Sequence, residues 1–332
     1  MKQYAVGVDL GGTYIKAALV ERGRGVVQDV SVATEADQGP EHVIARIAGA
    51  ILQMRAAVPE DAIAGVGVGA PGVINWARDT LSYPPNFPGW VSVDVKAALT
   101  PLLGAEIPVF VENDANVAAL GSAHYGAGIP HDHFIMVTLG TGVGGAIIYN
   151  DRIFRGATGG AGEIGHMTID YEGPIDRSGV AGAIEAYLGQ RFLSAHAADM
   201  LRTRTDSLIH EMSTDPDLDD LTPKMLYDAA VAGDEGAREV LAWAGHKLGC
   251  VLGSVINLLD IRKVVVGGGV AAAGDYILGP ARRTVLRYVM PGLRDDVEII
   301  LETLGNEAGM LGAAHLVFQY LDEHASLPPR SS

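Results

Sequence analysis

Two short stretches, far apart in the chain, share one chemistry. Asp9-Leu10-Gly11-Gly12-Thr13 follows an apolar run at residues 4–8, and Gly140-Thr141-Gly142-Val143-Gly144-Gly145 follows another at residues 134–139. In each, glycines let backbone N–H groups approach an anion, a threonine hydroxyl adds a donor, and a second apolar strand follows, at residues 15–20 and 146–149. The pattern is that of a split phosphate clamp. The rival reading, a dinucleotide fingerprint, is met by the spacing of Gly140, Gly142 and Gly145, but that fingerprint must open a helix, and residues 146–149 read as a strand. Gly267-Gly268-Gly269 follows an apolar strand too, with no acidic residue roughly 20 positions on to hold a ribose. Elsewhere, Glu112-Asn113-Asp114 closes a strand at residues 109–111, where Asn113 or Asp114 can cap the helix that follows or Asp114 can accept a proton.

These residues need elements to hold them. Strand, phosphate turn, strand and a third strand at residues 26–33 read as an antiparallel meander. Val43, Ile44, Ile47, Ile51 and Met54 recur at helical spacing over residues 40–57, and Pro59 stops the run. A strand at residues 64–69 ends at Ala70-Pro71-Gly72, the strand end at which α/β folds place ligands. Residues 83–90 hold too many prolines for regular structure and are expected to display an aromatic side chain and Asn86. Helices are expected at residues 115–125, 183–196, from a Thr222 cap with Pro223 in its first turn, and at 235–259, where Gly245, Gly249 and Gly253 share a face suited to a close neighbouring helix. Residues 155–165 and 170–182 read as long glycine-rich loops, a texture associated with function. A strand near residues 297–301, a helix at 309–321 and a frayed tail at 326–332 complete the reading.

Composition narrows the classes. With 332 residues, 48% hydrophobic content, 6% aromatics and 43 glycines, the chain reads as a soluble globular protein of two lobes. A formal charge of −16 repels nucleic acid and anionic membranes, so neither is an expected partner, and a phosphate site must draw on backbone dipoles and a metal ion. The single cysteine, Cys250, can form no internal disulfide. The opening residues do not read as a signal peptide, and the longest apolar helix carries His246, Lys247, Ser254 and Asn257, which argues against a membrane span and for the cytoplasm.

Together the motifs resemble the ROK family of bacterial sugar kinases, within the actin-like ATPase superfamily. The resemblance rests on Asp9 to Thr13, Ala70-Pro71-Gly72, Glu112-Asn113-Asp114-Ala115-Asn116, Gly140 to Gly145, Gly162-Glu163-Ile164-Gly165-His166, Glu185-Ala186-Tyr187 and Gly267-Gly268-Gly269, in the family's order along essentially the whole chain. It implies an α/β fold of the two-lobed actin-like ATPase, ribonuclease H-like kind with a mixed sheet in each lobe. Residues 1–117 plus about 310–325 would form a small lobe and residues 118–309 a large one. ATP-dependent phosphorylation of a hexose would follow, with Asp114 as base. Asn113, Glu163, His166 and Glu185 offer the mixture of donors and acceptors that sugar hydroxyls require, and by resemblance they bind the hexose, joined by Gly72 and Asn86. Gly11, Gly12, Thr13, Lys16, Thr141 and Gly142 would hold the ATP phosphates, Gly267, Gly268 and Gly269 would lie beside the adenosine, and Asp9 would orient Mg2+ through water.

One departure stands out. Many family members carry a zinc site built from the histidine of the Gly-His pair and three cysteines; here Asp176, Ser178 and Ala183 occupy the cysteine positions, so no zinc is expected and His166 is left to the sugar. The stretch Asn86-Phe87-Pro88-Gly89-Trp90 is more similar to the glucokinase form than to the fructokinase form, which makes glucose the first choice. N-acetylmannosamine, mannose, fructose or allose, polyphosphate as donor, and a sugar sensor without catalysis remain open. The family also contains repressors, but no basic helix-turn-helix precedes the phosphate turn at residue 9. A homodimer is implied by the resemblance alone.

Overall fold

The computed structural model describes residues 2–104 and 107–325, so the expected tail at 326–332 lies outside the described residues. In chain order the elements are β1 (Tyr4–Leu10), β2 (Tyr14–Glu21), β3 (Gly25–Ala33), α1 (Pro40–Arg55), β4 (Ile63–Ala70), β5 (Val73–Ile74), β6 (Thr80–Ser82), β7 (Ser92–Asp94), α2 (Val95–Leu103), β8 (Val109–Asn113) and α3 (Asp114–Tyr125). There follow β9 (His133–Leu139), β10 (Val143–Tyr149), β11 (Arg152–Ile153), α4 (Glu185–Leu188), α5 (Gln190–Leu201), α6 (Ile209–Met212), α7 (Pro223–Val231), α8 (Glu235–Leu259), β12 (Lys263–Gly267), α9 (Asp275–Tyr288), β13 (Glu298–Leu301) and α10 (Ala308–Ala325). The chain forms two compact units. The first holds the residues up to Asp132, Ile147–Ala161 and those from Asn306 on; the second holds His133–Ala146 and Gly162–Gly305.

The first unit is built on a five-stranded sheet in the order β3-β2-β1-β4-β8. β1, β2 and β3 pair antiparallel as the expected meander, whereas β4 and β8 run parallel to β1. β4 is buried along its whole length, the signature of a central parallel strand with both faces covered. α1 turns Val43, Ile44, Ile47, Ile51 and Met54 inward, each worth about 1.5 to 3 kcal/mol of burial. α3 and α10 pack backbone to backbone, because a Cβ at Gly121 would overlap the Ala308 carbonyl and one at Gly312 the Val117 carbonyl. β5, β6 and β7 form a small antiparallel sheet that the sequence did not announce, since strands of two or three residues show no periodicity. In the 83–90 loop, Tyr83 is exposed, but Phe87 and Trp90 are buried with their rings 5.2 Å apart.

The second five-stranded sheet has the order β11-β10-β9-β12-β13, with β9, β12 and β13 parallel. In the second unit α8 spans the expected residues. Its Gly245 and Gly249 lie against the Ile277 and Ala281 carbonyls of α9, so the glycine face admits a neighbouring helix as expected. The single helix expected at residues 183–196 is two, α4 and α5, broken where Gly189 takes an extended ψ of 137°. Among the described residues no helix is long and apolar enough to cross a membrane.

Candidate active site

The first unit gathers Asp9, Gly11, Gly12, Thr13, Lys16, Gly72, Asn86, Asn113 and Asp114 at strand ends and turns. Asp9 sits in register between Lys16 of β2 and Gly69 of β4. The turn after it closes with Gly11 N–H donating to Tyr14 O at 3.0 Å, and it is braced from outside by the Thr34 hydroxyl donating to Gly11 O at 2.6 Å. A Cβ at Gly12 would stand 3.3 Å from Asn86 Cβ, so this turn and the 83–90 loop are neighbours. Lys16 Nζ donates to Asn306 Oδ1 at 3.0 Å.

Asn113 caps α3: its side-chain oxygen accepts from Ala115 N and Asn116 N at 2.9 and 3.2 Å, and its Nδ2 donates to Gly72 O at 3.2 Å. Asp114 therefore starts a helix whose entry is held on both sides. Its carboxyl is pushed up by burial, against the hydrogen bonds that it accepts from Ala115 N–H, its own N–H and the Asn113 side chain. Asp9 is pushed up to about 6 by burial and by the charge of Asp114, with Lys16 pulling the other way. Asp9 is a hard-oxygen donor of the kind that suits Mg2+ through its water shell, and a cation beside it would offset the repulsion between the two acids.

Behind them lies a group that sequence reasoning missed. Glu112 is fully buried; one of its oxygens accepts from Asn113 N and Asn116 Nδ2 at 3.0 and 3.1 Å, and the other faces Arg78 Nε and Arg155 Nε at 2.9 and 2.8 Å. Arg155 also donates to the Asn75 and Trp76 carbonyls at 2.9 Å. A carboxylate that accepts three hydrogen bonds and pairs with a second guanidinium fixes the backbone of the very turn that presents Asp114.

The second unit gathers Thr141, Gly142, Glu163, His166, Glu185 and Gly267–Gly269. The glycine loop closes with Gly140 N–H donating to Gly142 O at 2.9 Å. Glu185 Oε2 accepts from Val143 N at 3.0 Å, which places Glu185 against the glycine loop. Gly268, with φ of 92°, wraps the end of β9, and Val270 N donates to Leu139 O at 3.0 Å, so the glycine run adjoins the same loop. Gly165 packs on Val143 O, seating the Glu163–His166 turn on β10; Glu163 Oε2 and His166 Nε2 stand 4.0 Å apart, both partly exposed. Beside Thr141 opens a cavity of about 610 Å³ lined in part by Gln190, Arg191 and Ser194. A continuous helix over residues 183–196 hides Arg191; the break at Gly189 instead starts α5 beside the glycine loop, with Gln190 N donating to Gly140 O at 2.9 Å.

Zinc does not fit the 166–183 segment. Ala183 offers no donor atom, and His166 Nδ1 is 2.7 Å from Asp176 Oδ2 and already engaged there. Among the described residues no three His, Cys, Asp or Glu side chains are placed to share a metal ion.

The ROK family profile matches residues 5–320. The chain belongs to the ROK family. Among its ROK-type relatives, the glucokinase of Thermotoga maritima is 33% identical over 312 residues, covering 94% of this chain and 96% of that protein. The glucokinase of Halalkalibacterium halodurans is 35% identical over 326 residues, covering 96% of both chains. A crystal structure of a ROK family glucokinase from Streptomyces griseus, in complex with glucose and AMPPNP, superposes with a TM-score of 0.84 at 31% identity, over 95% of this chain and 99% of that one. The α/β fold with two mixed sheets is thus that of the ROK sugar kinases, as the motifs implied.

Proposed function

We propose that this ROK-family chain is a glucokinase, transferring the terminal phosphoryl group of ATP to the 6-hydroxyl of glucose. The observation that carries the reading is likeness to glucokinases along nearly the whole chain, together with an acid at the start of α3 whose proton affinity is raised by its surroundings. Phosphoryl transfer asks the protein mainly to position reactants and stabilise charge, and a carboxylate takes the proton of the attacking hydroxyl. Asp114 is that base. Burial brings its proton affinity toward the working pH, where a general base is most effective.

Around it, Asn113 and Gly72 hold the rim of the turn, and Asn86 adds an amide beside Gly12. Glu163, His166 and Glu185 offer acceptors and a ring nitrogen to the remaining sugar hydroxyls. Gly11, Gly12 and Thr13 present backbone and hydroxyl donors to the outer phosphates, with Lys16 adding charge, and Thr141 and Gly142 do the same in the second unit. The cavity beside Thr141, with Arg191 in its wall and Gly267–Gly269 at the neighbouring strand end, suits the nucleoside. Mg2+, when bound, would neutralise phosphate charge, and Asp9 would hold it through its water shell. A homodimer in the cytoplasm completes the proposal.

An assay of ADP release across a panel of hexoses tests it. Glucose is expected to give the highest kcat/KM, and Asp114→Asn is expected to lower kcat by about 10²- to 10⁴-fold. Turnover of glucose that survives this substitution would remove Asp114 from the mechanism. Absence of turnover on every hexose would leave a sugar sensor.

A further inference from the structure

The segment from His166 to Ala183 is long, glycine-rich and nearly free of regular structure, yet one side chain at its centre is completely enclosed. The Asp176 carboxylate has no solvent exposure. Its Oδ1 accepts from Ser178 N at 2.9 Å, Ser178 Oγ at 2.7 Å and Val180 N at 2.9 Å, while its Oδ2 meets His166 Nδ1 at 2.7 Å. The backbone closes over the same residue, with Asp176 N donating to Val180 O at 3.0 Å and Gly179 N donating to Asp176 O at 3.3 Å. Burial alone would raise this acid, but the hydrogen bonds from Ser178, His166 and Val180 outweigh it and hold Asp176 below the usual carboxylate range. It is therefore ionised.

We infer that Asp176 is the positioning residue for His166: its buried carboxylate organises the 166–183 segment without a metal and fixes the ring as the tautomer protonated on Nδ1. An ionised carboxylate can only accept, so the nitrogen facing it at 2.7 Å must carry the proton. In the neutral ring Nε2 is then an acceptor. Nε2 stands 4.0 Å from Glu163 Oε2, which also only accepts, so the two atoms together present acceptors to hydroxyl hydrogens. A sugar that lacks a donating hydroxyl at this place forgoes the bond to Nε2, which makes the ring a selector for a free hydroxyl. The selector role rests on the proposal that His166 binds the sugar; the tautomer does not.

Asp176→Asn separates positioning from plain structural support. The amide oxygen can keep the bonds from Ser178 and Val180, while its NH2 replaces Oδ2 as a donor toward Nδ1, so the ring proton must move to Nε2 and the acceptor facing the sugar becomes a donor. The measurement is the ring nitrogen signal of histidine-labelled protein at pH 8.5, with the His166 resonance identified as the one lost in His166→Gln. Wild type is expected to show the Nδ1–H form and Asp176→Asn the Nε2–H form. Kinetics should show glucose KM raised about 10- to 100-fold in the variant, with ATP KM within about twofold. An Nε2–H ring in wild type would overturn the inference. So would equal rises in both KM values with an unchanged tautomer. Should Asp176→Asn not fold, the wild-type ring signal decides alone, and it does so even if glucose is not the substrate.

Discussion

Asp9→Asn should make the protein more stable while disabling it. Asp9 is moved from an ordinary 3.8 to about 6 in the folded chain, by burial first and then by the charge of Asp114. A carboxyl whose folded value is raised binds its proton more tightly in the folded state. Stability is then fully present below the unfolded value and falls as pH rises from 3.8 to about 6, after which the loss is constant. The shift corresponds to about 3 kcal/mol above pH 6. Asparagine is nearly isosteric and carries no charge, so it removes that cost. Urea unfolding at pH 8 and at pH 4.5 reads the difference between variant and wild type, which cancels every other titrating group. The expected gain is up to about 3 kcal/mol at pH 8 and no more than about 1 kcal/mol at pH 4.5, accompanied by loss of turnover and of magnesium-dependent nucleotide affinity. A variant no more stable than wild type at pH 8, or one whose gain is the same at both pH values, would refute the account of the two acids.

Two further outcomes follow from buried features outside the reacting groups. His124 and His315 stack with ring centroids 3.5 Å apart, and burial first, then the charge of His124, pushes His315 down to about 3. Because the unfolded ring titrates near 6.5, stability is lost as pH falls below that value, at about 1.4 kcal/mol per pH unit; His315→Leu should flatten this slope in unfolding measurements from pH 7 to 5, and an unchanged slope would exclude the stack as its source. Gly245→Ala should cost more than about 2 kcal/mol because its Cβ meets the α9 backbone, whereas Gly49→Ala, on an open face of α1, should gain about 0.5 to 1 kcal/mol; urea midpoints of opposite sign check the pair.

Much of the framework was legible because it rests on local periodicity and punctuation. The meander, α1 and α8 follow from apolar spacing bounded by proline, glycine and capping residues, and even the partner of the α8 glycine face was deducible from the need for close approach. What escaped depends on contacts distant in sequence. Nothing in the 155–165 loop announces that Arg155 reaches back to Glu112, since a charged residue in a glycine-rich stretch reads as solvated. Asp176 stands out in the sequence only as a residue in place of a zinc cysteine, and nothing there shows that its carboxylate is fully enclosed. For the candidate site, residue types pointed to Glu163 and His166 as a pair, but the engagement of Glu185 with Val143 and the position of Arg191 required the break at Gly189 to be seen.

The close seam between α3 and α10 has a bearing on the acids it flanks. α3 begins with Asp114, and a Cβ at Gly309, in the first turn of α10, would stand 3.1 Å from the Asp9 carboxyl carbon. With main chain resting on main chain at Gly121 and Gly312, no rotamer change can absorb a displacement of one helix, so the spacing of the two carboxylates is set like the jaws of a jig. If Asp9 and Asp114 serve the transfer as proposed, a methyl group added at Gly121 or Gly312 is expected to lower kcat without touching a substrate.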